Sequence, residues 1–470
     1  VDTDIRIIGP FAYLRHLAEC LKNAFKIHYA NEFDVIREIK AHLCGRTSRK
    51  FSLKQSQDGS AGQDVSSTAS RGVHLPLAGI KVLDVTQVMA GPFSTMLLAD
   101  LGADVIKVEP PGSGDQTRGS MGFKLKGTDS LGFLNLNRNK RSIALNLKNP
   151  AGKKAFLKLA ESADVVIENY RPGVVKRLGI DYATLSAINP RLIYASISGF
   201  GQTGPWADRP GFDLMAQAMS GIMSVTGLPG QPPMKAGVPV ADIGCALFAT
   251  YAILSAYIGR QTTGCGQFID ASLFEAALAF SIWDIAEYWG TGQMPTPLGT
   301  ANRMSAPYQA VAASDGYFVM GATNQKLWRR LCEELERPEL LADERFIDIP
   351  KRLANREVLI AELEKTFIAK SADEWVAQLL AAGIPAGRIH TYPEAFEGEH
   401  GKYREMRLDI DHPVEGKIPN IGFPVKLTGT PQRIRRHPPL LGEHTNEVLM
   451  EFGLDPKTLE DLRQQGAFAP

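Results

Sequence analysis

Five short apolar runs, separated by stretches of helical texture, limit the folds open to this chain more than any other feature. They are IKVLDVT from Ile80, DVIKVEPP from Asp104, RSIALNL from Arg141, DVVIENY from Asp164 and RLIYASISGF from Arg191. Each is near-continuous in Val, Ile and Leu, the pattern of strands covered on both faces. Between them lie GPFSTMLLADLGA, then AGKKAFLKLAESA opened by Pro150, and two short helical segments at Val174–Leu178 and Tyr182–Ile188. Proline suits the first turn of a helix, where its missing N–H costs nothing. Strand–helix alternation at this spacing predicts an α/β fold with a doubly wound, Rossmann-like and mostly parallel sheet. Helices are expected next at 213–223, 243–259 and 270–290.

The remainder reads differently. Around Ser314-Asp315-Gly316 the sequence predicts a hairpin, followed by helices at Gln325–Leu335, Arg352–Phe367 and Ala372–Ala382. This is a smaller α+β domain, placed at 300–398, after a large domain at 76–290. Residues 399–470 read as a return linker with two terminal helices, Thr445–Phe452 and Pro456–Gln465, packing on the large domain. Residues 1–75 form an N-terminal extension. Residues 1–44 have a strand–helix–strand–helix texture, and 45–75 have the polar composition of a linker.

Composition narrows the function. The 470 residues carry a formal charge of +1, so no overall bias draws the chain to nucleic acid or to an anionic membrane. Five scattered cysteines, with no CxxC pair, argue for a reducing compartment, either cytoplasm or mitochondrial matrix, and against a zinc site. No histidine motif suggests any other metal. The uncharged stretch Ile243–Gly259 is short for a membrane span and is read as a core helix. GFGQTG at Gly199–Gly204 has the spacing of a dinucleotide fingerprint, but Pro205 and Pro210 follow, so no helix opens to receive a pyrophosphate. Arg138, Lys140, Arg141 and Lys148 flank the third run, and Arg171, Lys176 and Arg177 follow the fourth. Converging at the carboxyl ends of parallel strands, they would suit a polyphosphate. Asn169-Tyr170 offers an amide and a ring, either for a purine or as a loop cap and a rim aromatic.

Asp242 is the sole charged residue between Lys235 and Arg260. It stands where a loop gives way to the apolar helix, as an N-cap would. The helix dipole there would favour its ionised form. It can be read as a cap or as a nucleophilic carboxylate.

These blocks together resemble the family III CoA-transferases, the formyl-CoA and carnitine CoA-transferase type. LAGIKVLDVTQVMAGPFSTMLLADLGADVIKVEPPGSGDQTR resembles the family's opening block. NLNRNKRSIALNLK, ADVVIENYRPGVVKRLGIDY, NPRLIYASISGFGQTGP, GFDLMAQAMSG, TGCGQFIDASLFEA and PPLLGEHTNEVL follow in the family's order, from about Leu75 to the C-terminus. The resemblance implies a ring-like chain that interlocks with a second copy as a homodimer. It also implies coenzyme A and acyl-CoA as substrates, with no permanently bound cofactor. Asp242 in GVPVADIG falls on the family's nucleophile, which would pass through aspartyl anhydride and aspartyl-CoA thioester intermediates. CoA contacts carry over onto Val88, Met89, Ala90, Leu145, Lys148, Asn169, Tyr170, Arg171 and Arg177. Asp213 is expected to orient, and Arg303 to meet a distal carboxylate of the substrate.

The chain also departs from relatives within the resemblance. Met89 stands where some members have glutamine, Pro110 where the formyl-CoA enzyme has arginine, and Gly299–Arg303 where that enzyme has a run of glycines. The texture of RNKRSIA, GFGQTGP and PYQA is closest to the succinyl-CoA:dicarboxylate branch, which implies succinyl-CoA as donor and an acceptor such as glutarate. Two other readings stay open: an α-methylacyl-CoA racemase and a non-catalytic CoA-binding protein. Racemases carry a histidine where this chain has Phe212, and phenylalanine cannot shuttle a proton.

Overall fold

In the computed structural model, residues 74–468 are described, apart from Met121. The readings of the first 73 residues fall outside that span. Six strands form one parallel sheet: β1 (Lys81–Asp84), β2 (Asp104–Glu109), β3 (Lys140–Ala144), β4 (Val165–Glu168), β5 (Ile193–Ser198) and β6 (Phe268–Ser272). Their spatial order is 3-2-1-4-5-6, with Val82 of β1 registered against Val105 of β2 and Val165 of β4. The strand order reverses between β1 and β4, and a crevice opens at such a point beyond the carboxyl ends of the strands.

Alternate residues of each strand face opposite layers. Leu83, Ile106, Ile143 and Val166 pack with Phe156 and Leu159 of the helix Pro150–Ala160. The same core takes Val448, Leu449, Leu459, Leu462 and Phe468 from the terminal helices Thr445–Glu451 and Pro456–Gln464 and the residues after them. On the other face, Val82, Val105, Val165 and Ile193 pack with Leu98 and with Ala249 and Ile253 of the helix Val240–Thr263. Burying each large side chain of this kind contributes about 1.5–3 kcal/mol. Val240–Thr263 has the length and hydropathy of a membrane span, yet one face of it is core, and its buried Arg260 pairs with Asp164 at 2.6 Å.

A separate core lies around β7 (Tyr308–Ala313), β8 (Gly316–Gly321) and β9 (Ala386–Arg388). The first two form the hairpin, closed by Ala313 opposite Gly316, and β9 pairs antiparallel with β8. β10 (Arg407–His412) and β11 (Gly416–Ile421) make a second antiparallel pair, whose Ile410 and Ile418 pack on Phe133 and Leu134.

Three expected helices differ in detail. The 213–223 segment breaks after Met219, because Gly221 adopts φ +90° before Ile222–Val225. The 270–290 segment starts as strand β6. Only pairing with β5 reveals it, after which Leu273–Ala279 and Ile282–Thr291 are helical. Arg352–Phe367 is two helices, Ile349–Ala354 and Arg356–Phe367, which meet at Asn355.

Candidate functional site

Three clefts of roughly 320, 560 and 430 Å³ follow one another along the carboxyl edge of the sheet. The first is lined by Val88, Met89 and Ala90 after β1, by Tyr170 and Arg171 after β4, by Gly199 after β5, and by Asp242. It shares Gln87 and Tyr170 with the second, where Pro110, Leu145 and Lys148 also lie. The second shares Leu147, Lys148, Val174 and Leu178 with the third, which adds Lys153 and Arg177. One groove therefore runs from a carboxylate at one end to three cations at the other.

The wall at the switch point is built from Gln87 and Val88. Val88 sits at φ +69°, a conformation that a β-branched residue adopts only under constraint. Two contacts supply that constraint. The Asn169 side-chain amide accepts from the Gln87 N–H at 2.8 Å and donates to the Gln87 carbonyl at 2.7 Å. Asp115 accepts from the Val88 N–H at 3.2 Å. Asn169 is therefore a loop clamp, and its amide is already engaged. Met89 then stands at the start of the helix Ala90–Asp100 without making a side-chain cap.

Beneath this wall lies a buried ionic lattice. Lys107 approaches Asp115 at 2.9 Å and donates to the Thr86 carbonyl at 2.8 Å. Lys140 approaches Asp84 at 3.0 Å. Burial alone would raise the Asp115 carboxyl, but the Lys107 ammonium outweighs it and holds the group below the usual range. Arg138, Lys140 and Arg141 all belong to such pairs, with Asp100, Asp84 and Asp104 respectively. They sit at or just before the amino end of β3. The expectation that they join Lys148 around a polyphosphate is thus corrected, and Lys148, Arg171 and Arg177 remain exposed at the carboxyl edge.

The helix bearing Asp242 begins at Val240 with Pro239 at its N-cap, so Asp242 is a first-turn residue and not the cap. Asp213, on the helix Asp213–Met219, supplies the capping bonds from a neighbouring helix. Its carboxylate accepts from the Ala241 N–H at 2.9 Å and the Asp242 N–H at 3.3 Å. Gln217 holds Asp213 in place at 2.6 Å. The Asp242 carboxyl is left in the cleft, and burial, reinforced by Asp213, pushes it up to about 7. The expected effect of the helix dipole is thus outweighed by desolvation.

A second raised carboxyl, Glu168 at the end of β4, goes to about 7 through burial. It accepts from the Ser196 hydroxyl and, at 2.8 Å, from the Tyr170 N–H.

Gly199 and Gly211 explain the GFGQTG stretch. A Cβ on Gly199 would lie 2.9 Å from the Gly211 Cα, so the two loops touch backbone to backbone. Next to that contact stands Phe212, exposed and lining the same cleft as Asp242. Arg303 lies elsewhere, paired with Asp284 at 3.0 Å and Glu287 at 3.2 Å. Those two carboxylates already occupy its guanidinium, and it does not line the groove. Sequence reasoning passed over Gln87, Glu168 and Arg209. Arg209 was findable from its place just before the GFD block.

Residues 77–445 match the profile of CoA-transferase family III. An "Acyl-CoA transferase" of Fusarium pseudograminearum is 40% identical over 85% of this chain and 89% of its own length. The human "Succinyl-CoA:glutarate CoA-transferase" is 38% identical over 83% and 89%. Among solved structures, a CAIB/BAIF family protein from Brucella suis superposes with a TM-score of 0.72 at 39% identity, covering 81% of this chain and all of that one.

Proposed function

The chain belongs to CoA-transferase family III, and from that premise we propose that it moves CoA from succinyl-CoA to a dicarboxylic acid such as glutarate, with Asp242 as nucleophile. The observation that carries this reading is the continuous groove. It joins a carboxylate with no ion-pair partner among the described residues to a cationic end formed by Lys148, Lys153 and Arg177. A CoA thioester has the same polarity, with an acyl carbonyl at one end and phosphates at the other. The human relative's name supplies the donor and acceptor class.

Asp242 attacks the thioester carbonyl, giving a succinyl–aspartyl anhydride and CoA thiolate. The thiolate attacks the aspartyl carbonyl, succinate leaves, and an aspartyl-CoA thioester remains. The acceptor carboxylate attacks that thioester and expels the thiolate, which takes the acyl group from the new anhydride and regenerates Asp242. Every step exchanges one acyl bond for another, so atoms and charge balance without ATP. A carboxylate titrating at about 7 is more basic, and so more nucleophilic, than an ordinary aspartate, yet it is largely ionised above neutrality. The uncapped start of Ala90–Asp100, bordering the same cleft, offers N–H groups to the oxyanions. Phe212 beside Asp242 supports transfer over racemisation, since it cannot hold a proton.

A homodimer is part of this reading. Ile258, Ile282, Trp283 and Trp289 are each at least two-thirds exposed, and large apolar side chains left in water gain by burial against a second chain. Cytoplasm or mitochondrial matrix fits the free thiols of Cys245, Cys265 and Cys332.

The test is to incubate the protein with succinyl-CoA and locate the adduct by mass spectrometry. Wild type is expected to carry CoA on the peptide containing Asp242. Asp242→Ala is expected to bind CoA but form no adduct and lose at least about 10⁴-fold in exchange. Exchange surviving in that variant would remove Asp242 from the mechanism.

A further inference from the structure

Two guanidinium groups line the Asp242 cleft, those of Arg171 and Arg209. Arg171 follows β4, on the side that leads toward the cationic end. Arg209 stands in the loop that follows β5, two residues before Gly211. Its guanidinium lies 4.8 Å from the centre of the Trp206 ring. That ring packs edge-on against Phe200 and Phe274, so the arginine rests on a fixed aromatic platform. Stacking positions a guanidinium without neutralising it. Among the described residues no carboxylate forms an ion pair with Arg209, although Asp208 is its chain neighbour. This contrasts with Arg303, which two carboxylates hold.

Asp242 lines the cleft, and the Asp213 carboxylate lies close behind it, accepting from the Ala241 and Asp242 N–H groups. A dicarboxylate brings one carboxyl to react and a second that takes no part, and the second meets an anionic site. Some cation must offset it. We propose that Arg209 binds the non-reacting carboxylate of the dicarboxylic substrates and so sets their preference over monocarboxylic acids. This rests on the CoA-transfer reading above. One cation serves both halves of the cycle, because the succinyl group of the donor and the incoming acid each present a distal carboxylate at the same distance class from the reacting carbon. Arg171, on the CoA side, is left for the thioester's own anionic groups.

The test compares two acceptors of equal length, glutarate and pentanoate, with succinyl-CoA fixed as donor. In this two-stage cycle kcat/KM for the acceptor reads only the steps after the aspartyl-CoA thioester. Arg209→Gln is expected to lower the glutarate-to-pentanoate ratio by roughly 10- to 100-fold, the worth of a charge-assisted contact. Arg209→Lys should recover part of it, since the charge remains and the fork geometry does not. An unchanged ratio, or an equal loss for both acids, would overturn the proposal and return Arg209 to a structural role. Failure of the underlying reading would look different: wild type itself would form no adduct at Asp242, or would not favour glutarate over pentanoate.

Discussion

Two groups of buried or half-buried carboxyls lie near the same crevice and behave in opposite ways. Asp84 and Asp115 are buried beneath the Val88 wall, each with a lysine ammonium at about 3 Å, and both are held below the usual carboxylate range. Asp242 and Glu168 have no cation partner among the described residues. Burial carries both up to about 7. The first set shapes the site by fixing a strained backbone. The second set stays without a compensating cation among the described residues. Compensation of charge therefore separates the two sets more sharply than burial does.

The largest expected effect comes from breaking the compensated set. Lys107→Met removes one cation and leaves Asp115 buried without its partner. Stability should fall by about 3–5 kcal/mol, read as a lowered urea midpoint with an unchanged slope. A loss below 1 kcal/mol would show that the lattice does not bear on folding. Next is the pH response of the uncompensated set. In the proposed mechanism Asp242 attacks only when ionised, so kcat/KM for succinyl-CoA should decline below pH 7, by about tenfold per unit. A profile flat down to pH 5 would mean that another group, or an unshifted Asp242, limits the reaction.

The smallest effect sharpens the contrast thermodynamically. The folded Asp242 carboxyl binds its proton more tightly than the ordinary value of 3.8 allows, rising to about 7. Its contribution to stability is therefore complete below pH 3.8 and is lost as pH climbs through 7. Asp242→Asn cannot ionise and escapes that loss. It should be more stable than wild type at pH 8 by roughly 1–2 kcal/mol, with the gap closing toward pH 4. Thermal midpoints at the two pH values decide it.

The parallel sheet was legible because its strands are buried on both faces and so read as apolar runs. β6 was not. It is an edge strand of mixed polarity, FIDAS, and only pairing with β5 defines it. The position of Asp242 at a helix start was visible, whereas its cap was not. The capping carboxylate comes from Asp213, 29 residues earlier, and no local pattern reports a contact made through space. For the same reason the cluster Arg138–Arg141 looked like a ligand site, since its acidic partners lie elsewhere in the chain.

One feature of residues 467–468 bears on how the groove is held together. Phe468 fills the core beside β3 and lines the groove, and the Asn146 N–H donates to the Ala467 carbonyl at 2.7 Å. This wall joins two segments far apart in sequence, so closing it carries a loop-entropy cost that neighbouring strands of the sheet do not meet. The second cleft is therefore a long-range contact of the folded chain and not a property of the parallel sheet alone.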